Sequence, residues 1–485
     1  MAPVISTPED KKIEFSPEFK QLGFELVVKP VLMYHLHKRK EAETWREWGG
    51  LKTQSDVDQE SKRIEQELEE VKMKADFPVQ FLPLTHVNTD TSAQAVSSTE
   101  CDVILLYAAG SAGDRVYKQS RIDMITNSGK PIVVFLRRKS GPVYLWYEIA
   151  HTKLLRGATD KYVHQHVDLD DIVVDDYGDV TWRLRSLFGL KNIKKTKLVT
   201  VNGIGGWGEG GEVVSRTTGE IWNLDTYDVS LEEIGTRFRR LLNDKKVVEN
   251  LRKEMANYLQ QKSILSVNTE EHFILKAFIL REVFKELITE SNSVGITVRG
   301  CMSIGTTVQT TACLPFSLIN DEGLMAFCES DFVVIPAGIL LRYISQKPVF
   351  LNDPTFPYNG ITTCAHCSAP RRMDGKTYEP THIYTHCESD YGAAPKVEFR
   401  KNQVITNIIP DFNSKKWIGF KGQVTDSPFY DICRSQFECT IEGDWKRLLK
   451  DMQGFHWMTC YGDYLKEMGY ALKKVGIDWE DYSNV

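Results

Sequence analysis

The chain contains no stretch approaching 18 unbroken apolar residues, which argues against a helix that spans a membrane. It has no surplus of positive charge: 60 Lys and Arg stand against 66 Asp and Glu, a formal charge of -6. Neither nucleic acid nor a membrane surface is therefore expected as a partner. Cysteine is almost missing before residue 300, since only Cys101 precedes Cys301. The opening segment MAPVISTPEDKKIEF lacks the basic start and apolar run of a signal peptide, so a cytoplasmic protein is expected. In a reducing compartment the ten cysteines are thiols, and their crowding late in the chain points to small buried hydrophobes or metal ligands rather than disulfides. Internal repeats and low-complexity segments are also missing, which removes solenoids and collagen-like or linker-rich architectures.

What is present is ordinary globular composition, 42% hydrophobic and 11% aromatic over 485 residues, enough for two to four domains. From about residue 20 to 190, apolar runs (FELVVKPVLMYH, VQFLPL, CDVILLYAA, PIVVFLR) alternate with amphipathic stretches such as Ser55 to Lys74. Strands separated by helices predict an α/β domain with a parallel sheet over residues 1–195. A second α/β domain, residues 196–350, starts at the strand Lys197 to Val201 and holds helices at Leu231 to Leu242, Lys246 to Leu259 and Glu270 to Ile288. Gly203, Gly205, Gly206, Gly208, Gly210 and Gly211 follow its first strand. That loop lacks the Lys-Ser/Thr ending of a P-loop and no clear helix follows it directly, so a flexible or close-packed loop is expected rather than a phosphate cradle. After Pro354 the strand-like runs KVEFR, QVITNIIP and WIGFKGQV alternate with turns, which predicts a β-rich third domain over residues 351–485. An amphipathic helix from Tyr461 to Val475 closes it.

The most informative unit is LMAFCESDFVVIPAGILLRYISQKPVFLNDP. Leu324 to Cys328 and Val349 to Leu351 read as short buried strands, with Phe332 to Ser345 as the helix between them. A βαβ unit of this kind predicts two parallel strands with Glu329 and Asp353 just past their carboxyl ends, where open α/β sheets place ligands. Two carboxylates in one small volume repel unless a cation, a shared proton or water relieves them. The competing reading of either acid alone is a turn cap.

A second signal is Cys364, Cys367, His382 and His386, spaced C-x2-C-x14-H-x3-H as in structural zinc sites. The intervening SAPRRMDGKTYEPT carries two prolines and few apolar residues, so a zinc-finger helix is not expected there, and a zinc site of another shape stays open. The preferred reading places this histidine-rich, arginine-bearing segment (His366, Arg371, Arg372, His382, His386) beside the carboxylates and in contact with a polar substrate; a solvated surface pair is the alternative for the arginines. Because guanidinium offers a fork of donors to carboxylate, phosphate or sulfonate, an acidic sugar is one expectation.

The CE-x-D strand end (Cys328 to Asp331), the PVF-x-x-D strand end (Pro348 to Asp353) and the run GFHWMTCYGD before the last helix resemble the L-fucose isomerase family, whose relatives include L-arabinose isomerases. The resemblance covers the second and third domains best. It implies two Rossmann-like N-terminal domains, a β-rich C-terminal domain and a manganese-dependent aldose–ketose isomerase that works through a cis-enediolate. The family's metal-binding Glu, Asp and His fall on Glu329, Asp353 and His456, with the two acids also moving the proton. Trp457 is expected to stack on a sugar face, core packing being the alternative. A homo-oligomer, usually a hexamer, is implied by the resemblance alone. Two other classes fit the same residues: a metal-assisted sugar lyase, dehydratase or epimerase on this scaffold, and a non-catalytic sugar-binding protein.

Overall fold

In the computed structural model, the strand Leu26–Met33 (β1) is an almost unbroken apolar run, and so are Val103–Ala108 and Ile132–Leu136. Such runs mark strands buried on both faces, as in a parallel sheet covered by helices. The structure describes residues 19–43, 45, 49–110, 121–144, 167–208, 210–451 and 453–484; the opening segment considered above lies outside them. Two units emerge, Gly23–Lys191 and a larger one made of Met1–Leu22 with Asn192–Val485.

In the first unit β1 is joined by β2 (Val79–Phe81), β3 (Thr85–Val87), β4 (Val103–Ala108), β5 (Ile132–Leu136) and β6 (Ile172–Val174). All pair in parallel in the order β2-β1-β4-β5-β6, with β3 on the far end of β1. The helix expected from Ser55 runs Gln54–Lys74. It starts there because Thr53 and Asp56 form a capping box, each side chain accepting from the other's backbone N–H. Val57, Ile64, Leu68 and Val71 form its buried stripe.

The larger unit opens with a second parallel sheet. β7 (Lys197–Val201), β8 (Asp225–Val229), β10 (Gly295–Val298) and β11 (Met325–Phe327) lie in the order β11-β10-β7-β8. β9 (Ile264–Asn268) stands apart from this sheet. The helices Leu231–Asn243, Lys245–Leu259 and Glu271–Glu290 fall within two residues of the expected bounds. The last is apolar on nearly every side and is accordingly buried along most of its length. One expectation about the glycine loop fails: the helix Gly210–Glu220 follows it at once.

The β-rich region consists of β12 (Phe350–Pro354), β13 (Ile361–His366), β14 (Thr381–Tyr384), β15 (Ala394–Val397), β16 (Val404–Pro410), β17 (Lys416–Asp426), β18 (Ser435–Thr440), β19 (Trp457–Tyr461) and β20 (Asp478–Asp481). The order β16-β19-β12-β13-β18-β17, closed by β17 pairing with β16, is an antiparallel barrel. Phe350, Cys364, Ile405, Phe420, Phe437 and Trp457 belong to its buried core, and closure removes the unpaired edges of the ring. β14 instead pairs with β15 on one side and β9 on the other, a small three-stranded sheet that joins the barrel region to the segment carrying β9. The last helix is shorter than expected, Leu465–Lys473.

The predicted βαβ unit is corrected here. β11 sits at the edge of the parallel sheet, the helix Ile335–Ser345 follows, but β12 enters the barrel between β19 and β13 and is antiparallel to both. An apolar run specifies that a segment is buried, not which strand it pairs with. The helix packs on β19 so closely that a Cβ at Gly338 would stand 2.8 Å from the sulfur of Met458. That close approach draws the start of β19 toward the end of β11.

Candidate metal and sugar site

Register brings the first side chains together. Asn352 of β12 pairs with Trp457 of β19, which sets Asp353 beside His456, and Asp353 pairs with Ala365 of β13, next to His366. Three neighbouring strands of one barrel rim thus deliver Asp353, His456 and His366. Glu329 arrives from the parallel sheet, two residues past the end of β11.

The convergence is tight. His456 Nε2 lies 3.3 Å from Asp353 Oδ1 and 3.6 Å from Glu329 Oε2. His366 Nε2 lies 3.8 Å from Glu329 Oε1 and 4.0 Å from Asp353 Oδ2. Ligand atoms of Glu329, His366 and His456 all fall within 4.8 Å of one another. His456 is fully buried, yet its Nε2 makes no hydrogen bond. Its Nδ1 is 2.8 Å from Asp331 Oδ2. A buried carboxylate behind one nitrogen and an unpartnered second nitrogen facing acids is the arrangement in which histidine holds a metal.

The loop that carries Glu329 is strained in a specific way. Glu329 and Ser330 are both left-handed, with φ of 63° and 54°, a conformation that side chains other than glycine adopt at some energetic cost. The glycine loop holds it: Ser330 Oγ donates to Gly203 O at 2.9 Å, Gly205 N donates to Ser330 O at 3.0 Å, and Phe332 N donates to Gly205 O at 2.9 Å. A Cβ at Gly205 would meet Arg299 at 3.2 Å and Ser330 O at 3.4 Å, so a larger residue would press on this backbone contact. The close-packed reading of the loop fits these contacts.

Electrostatics follow from the crowding. Burial raises the Asp353 carboxyl above the ordinary range, and Glu329 adds to it, while His366 and His456 pull the other way. Burial opposes charge on His456, but Asp331, Asp353 and Glu329 outweigh it and raise the imidazole above its usual value. Without a cation, Asp353 and His456 therefore both hold their protons to higher pH than is usual for such groups.

A cleft of about 540 Å³ adjoins Glu329, lined by Trp207, Arg299, Ser303 and Glu388 among others, a volume suited to a small polar molecule. Trp207 donates from Nε1 to Glu329 Oε2 at 3.1 Å and stacks on Phe455 at 4.8 Å and 14°. Both rings are about half exposed.

Glu329, Asp353, His456 and His366 are thus brought together. Three other expected site residues lie elsewhere. Arg371 is buried, with its guanidinium on Thr381, Gln261 and Ser263 and its charge against the rings of Tyr258 and Tyr378. The backbone amides of Arg371 and Arg372 both donate to Asp321 Oδ1, and the Arg372 guanidinium donates to the carbonyls of Asp321 and Gly375. These arginines brace the interior, because a buried guanidinium takes whatever acceptors and ring faces surround it. Trp457 is also corrected: it is fully buried in the barrel core, edge-on to Phe420. The exposed aromatic faces at the site are Trp207 and Phe455.

The four C-x2-C…H-x3-H residues do not share one site: Cys367 and His386 come together, but Cys364 and His382 lie elsewhere. Cys364 points into the barrel core beside Cys439, while Cys367 joins Cys313 on another side; residues three apart along an extended chain face opposite ways. His382 is engaged by Ser266 through Nδ1 at 2.7 Å. Sequence reading also left three site residues without a role. Asp331 closes the CE-x-D run and sits two residues after Glu329; Trp207 was hidden among glycines; Arg299 directly follows β10.

Among the described residues no helix is long and apolar enough to cross a membrane. No protein-family model matches the chain, and no curated protein matches it.

Proposed function

We propose that the protein is a divalent-metal-dependent aldose–ketose isomerase acting on a monosaccharide. The observation that carries this reading is the buried, unpartnered Nε2 of His456 facing Glu329 and Asp353, with Asp331 fixing the ring from behind. Glu329, Asp353 and His456 would hold the ion, with His366 completing one side. Oxygen donors with imidazole suit manganese, and cobalt or iron next. When bound, the ion supplies Lewis-acid stabilisation of the charge that develops on two neighbouring sugar oxygens.

The chain's own residues do the rest. A carboxylate of Glu329 or Asp353 within hydrogen-bond reach of adjacent carbons removes a proton from one and returns it to the other through an enediolate. The N–H of Trp207 orients Glu329 for this. The exposed faces of Trp207 and Phe455 offer an apolar platform for the C–H face of a sugar. Arg299, exposed in the cleft, is the cationic group placed to grip a substrate oxygen or an acidic substituent there. With the interior pair Arg371 and Arg372 committed to protein partners, Arg299 takes over the argument for a charged sugar.

The two parallel-sheet regions are proposed to be Rossmann-like, consistent with helices alternating with parallel strands. A homo-oligomer is proposed as well. Phe356 and Tyr358, just beyond Asp353, are among the most exposed large apolar residues of the chain, and burying them against a second copy would stabilise an assembly; light scattering in solution tests it.

The function is tested by incubating the EDTA-stripped protein with a panel of neutral and acidic aldoses, with and without manganese. Equilibration of an aldose with its ketose, lost with EDTA and restored by manganese, is expected. A product lacking the elements of water or a side chain would identify a lyase or dehydratase, and a C-2 epimer an epimerase; absence of turnover on every sugar tested would overturn the reading.

A further inference from the structure

Cys313, Cys367 and His386 form a second cluster, separate in composition from the carboxylate site. Their ligand atoms lie within 4.8 Å of one another, and all three side chains are buried. Cys313 begins the helix Cys313–Asp321, Cys367 follows the last residue of β13, and His386 lies two residues past β14. Cys433, two residues before β18, packs against the same group, and its thiol is in hydrogen-bond contact with that of Cys367. Three soft or borderline donors from three separate segments therefore converge, and a fourth thiol, Cys433, lies against one of them.

We propose that Cys313, Cys367, Cys433 and His386 are a structural zinc site of the Cys3His type. Zinc takes four such ligands tetrahedrally, with sulfur at about 2.3 Å and nitrogen at about 2.0 Å. The resulting ligand-to-ligand separations are on the order of 3.5 Å, inside the spread already present between Cys313, Cys367 and His386.

The surroundings are those of metal-bound sulfur and imidazole. The backbone N–H of Arg434 donates to Cys367 Sγ at 3.4 Å, a donor that stabilises a thiolate. The Nδ1 of His386 is 3.1 Å from Ser389 Oγ, which orients the ring so that its other nitrogen can ligate. The chain around these residues also needs a staple. From Cys387 to Ala393 and from Ser427 to Arg434 the backbone forms neither helix nor strand, and the cluster of small thiols offers little apolar area to hold it. A zinc ion here ties the helix at Cys313 to the strand end at Cys367. Since Cys367 directly follows His366, it also anchors the strand end that carries one imidazole of the carboxylate site.

The test starts from the native protein purified without chelator and then dialysed against EDTA, conditions that strip a weakly held ion from carboxylates. About one zinc per chain is expected to remain by inductively coupled plasma mass spectrometry. Zinc K-edge absorption on this wild-type sample is expected to show about three sulfur neighbours near 2.3 Å and one nitrogen near 2.0 Å. Cys433→Ser, the change at the least buried ligand, is expected to lose most of the zinc, as is Cys313→Ser, while Glu329→Gln keeps it. Zinc absent from wild-type protein, a zinc shell of oxygen and nitrogen only, a disulfide between any two of these cysteines by mass spectrometry, or full retention in both cysteine variants would each overturn the proposal. The absorption measurement needs no variant, so a misfolded mutant cannot hide the answer. It also reads sulfur ligation directly, which the carboxylate site cannot supply, so its outcome is independent of whether the protein isomerises a sugar.

Discussion

Arg137 in the unit Gly23–Lys191 and His456 in the larger unit are both sealed among carboxylates, but their surroundings leave different remainders. Arg137 Nε meets Glu60 Oε1 at 2.5 Å and its Nη2 meets Glu67 Oε2 at 2.5 Å. Tyr144 donates to Glu60 at 2.9 Å and Tyr177 to Glu67 at 2.7 Å. Burial works against the Arg137 charge, yet Glu67 and its neighbours hold the guanidinium above even its ordinary range. Donors and acceptors are matched, and the cluster needs nothing more. Around His456, three acids face two imidazoles, a hydrogen bond links His456 Nδ1 to Asp331, and the buried Nε2 has no hydrogen-bond partner although Asp353 and Glu329 stand near it. Buried polar groups in folded proteins are normally satisfied. An acid-rich cluster with an unpaired nitrogen beside a cleft is therefore organised for a cation and a ligand, whereas a matched cluster is organised for the fold.

The contrast is sharpest where each cluster loses one member. Arg137→Met removes the buried guanidinium that bonds both Glu60 and Glu67, leaving Glu60 with the partly exposed Arg63 and Tyr144; the lost pairing should cost up to about 3–5 kcal/mol of stability, measured by denaturant unfolding of the full chain. A loss below about 1 kcal/mol would show that the network is not a folding element. Glu329→Gln should instead leave unfolding nearly unchanged and lower isomerase turnover about 100-fold or more, the scale of lost acid–base catalysis. Near-normal turnover would remove Glu329 from the chemistry. Asp331→Asn sits between these: it keeps the side chain's shape but weakens its hold on His456, and should reduce manganese affinity about 10- to 100-fold without changing the ligands themselves.

The smallest effect is a pH dependence with a defined sign. In the metal-free protein, Asp353 and His456 both have folded-state values raised above those of the unfolded chain. Each therefore contributes stability that is fully present below its unfolded value and is lost as pH rises through its raised folded value. The metal-free protein should lose stability from about pH 4 upward for Asp353 and from about pH 6.5 upward for His456, the ordinary values of the two groups. Manganese needs both groups deprotonated, so its stabilising effect should grow over the same range. Thermal unfolding with and without manganese between pH 5 and 8 reads both trends; parallel curves would contradict the linkage.

Much of the architecture was legible because it is written locally. The helix bounds came from period and caps, as at Thr53 and Asp56, and the parallel sheet of each α/β region from buried apolar runs. Pairing partners were not legible. Val349 to Leu351 announces a buried strand, but that β12 lies beside β19 depends on a contact spanning more than 100 residues, and no local pattern encodes it. The site divides in the same way. Glu329 and Asp353 were visible as acids at the ends of apolar runs, and His456 through a resemblance that the comparisons with known proteins leave without support. Arg371 and Arg372 were misplaced because their partners Tyr258, Gln261 and Asp321 come from distant segments. Trp207, one of the two exposed site aromatics, was masked by the glycines around it. The thiol cluster shows the limit most clearly: of the zinc-like spacing only Cys367 and His386 come together, and the thiols beside them, Cys313 and Cys433, are ones that spacing omits.

The central claim is that Glu329, Asp353 and His456, supplied by a parallel sheet edge and a barrel rim, hold one divalent ion. Electron paramagnetic resonance of manganese added to the EDTA-stripped protein measures this directly. The account predicts one bound manganese per chain in the wild type and little or none in His456→Ala or Asp353→Asn at the same concentration. Equal manganese binding by the wild type and both variants, or none by any of them, would contradict it.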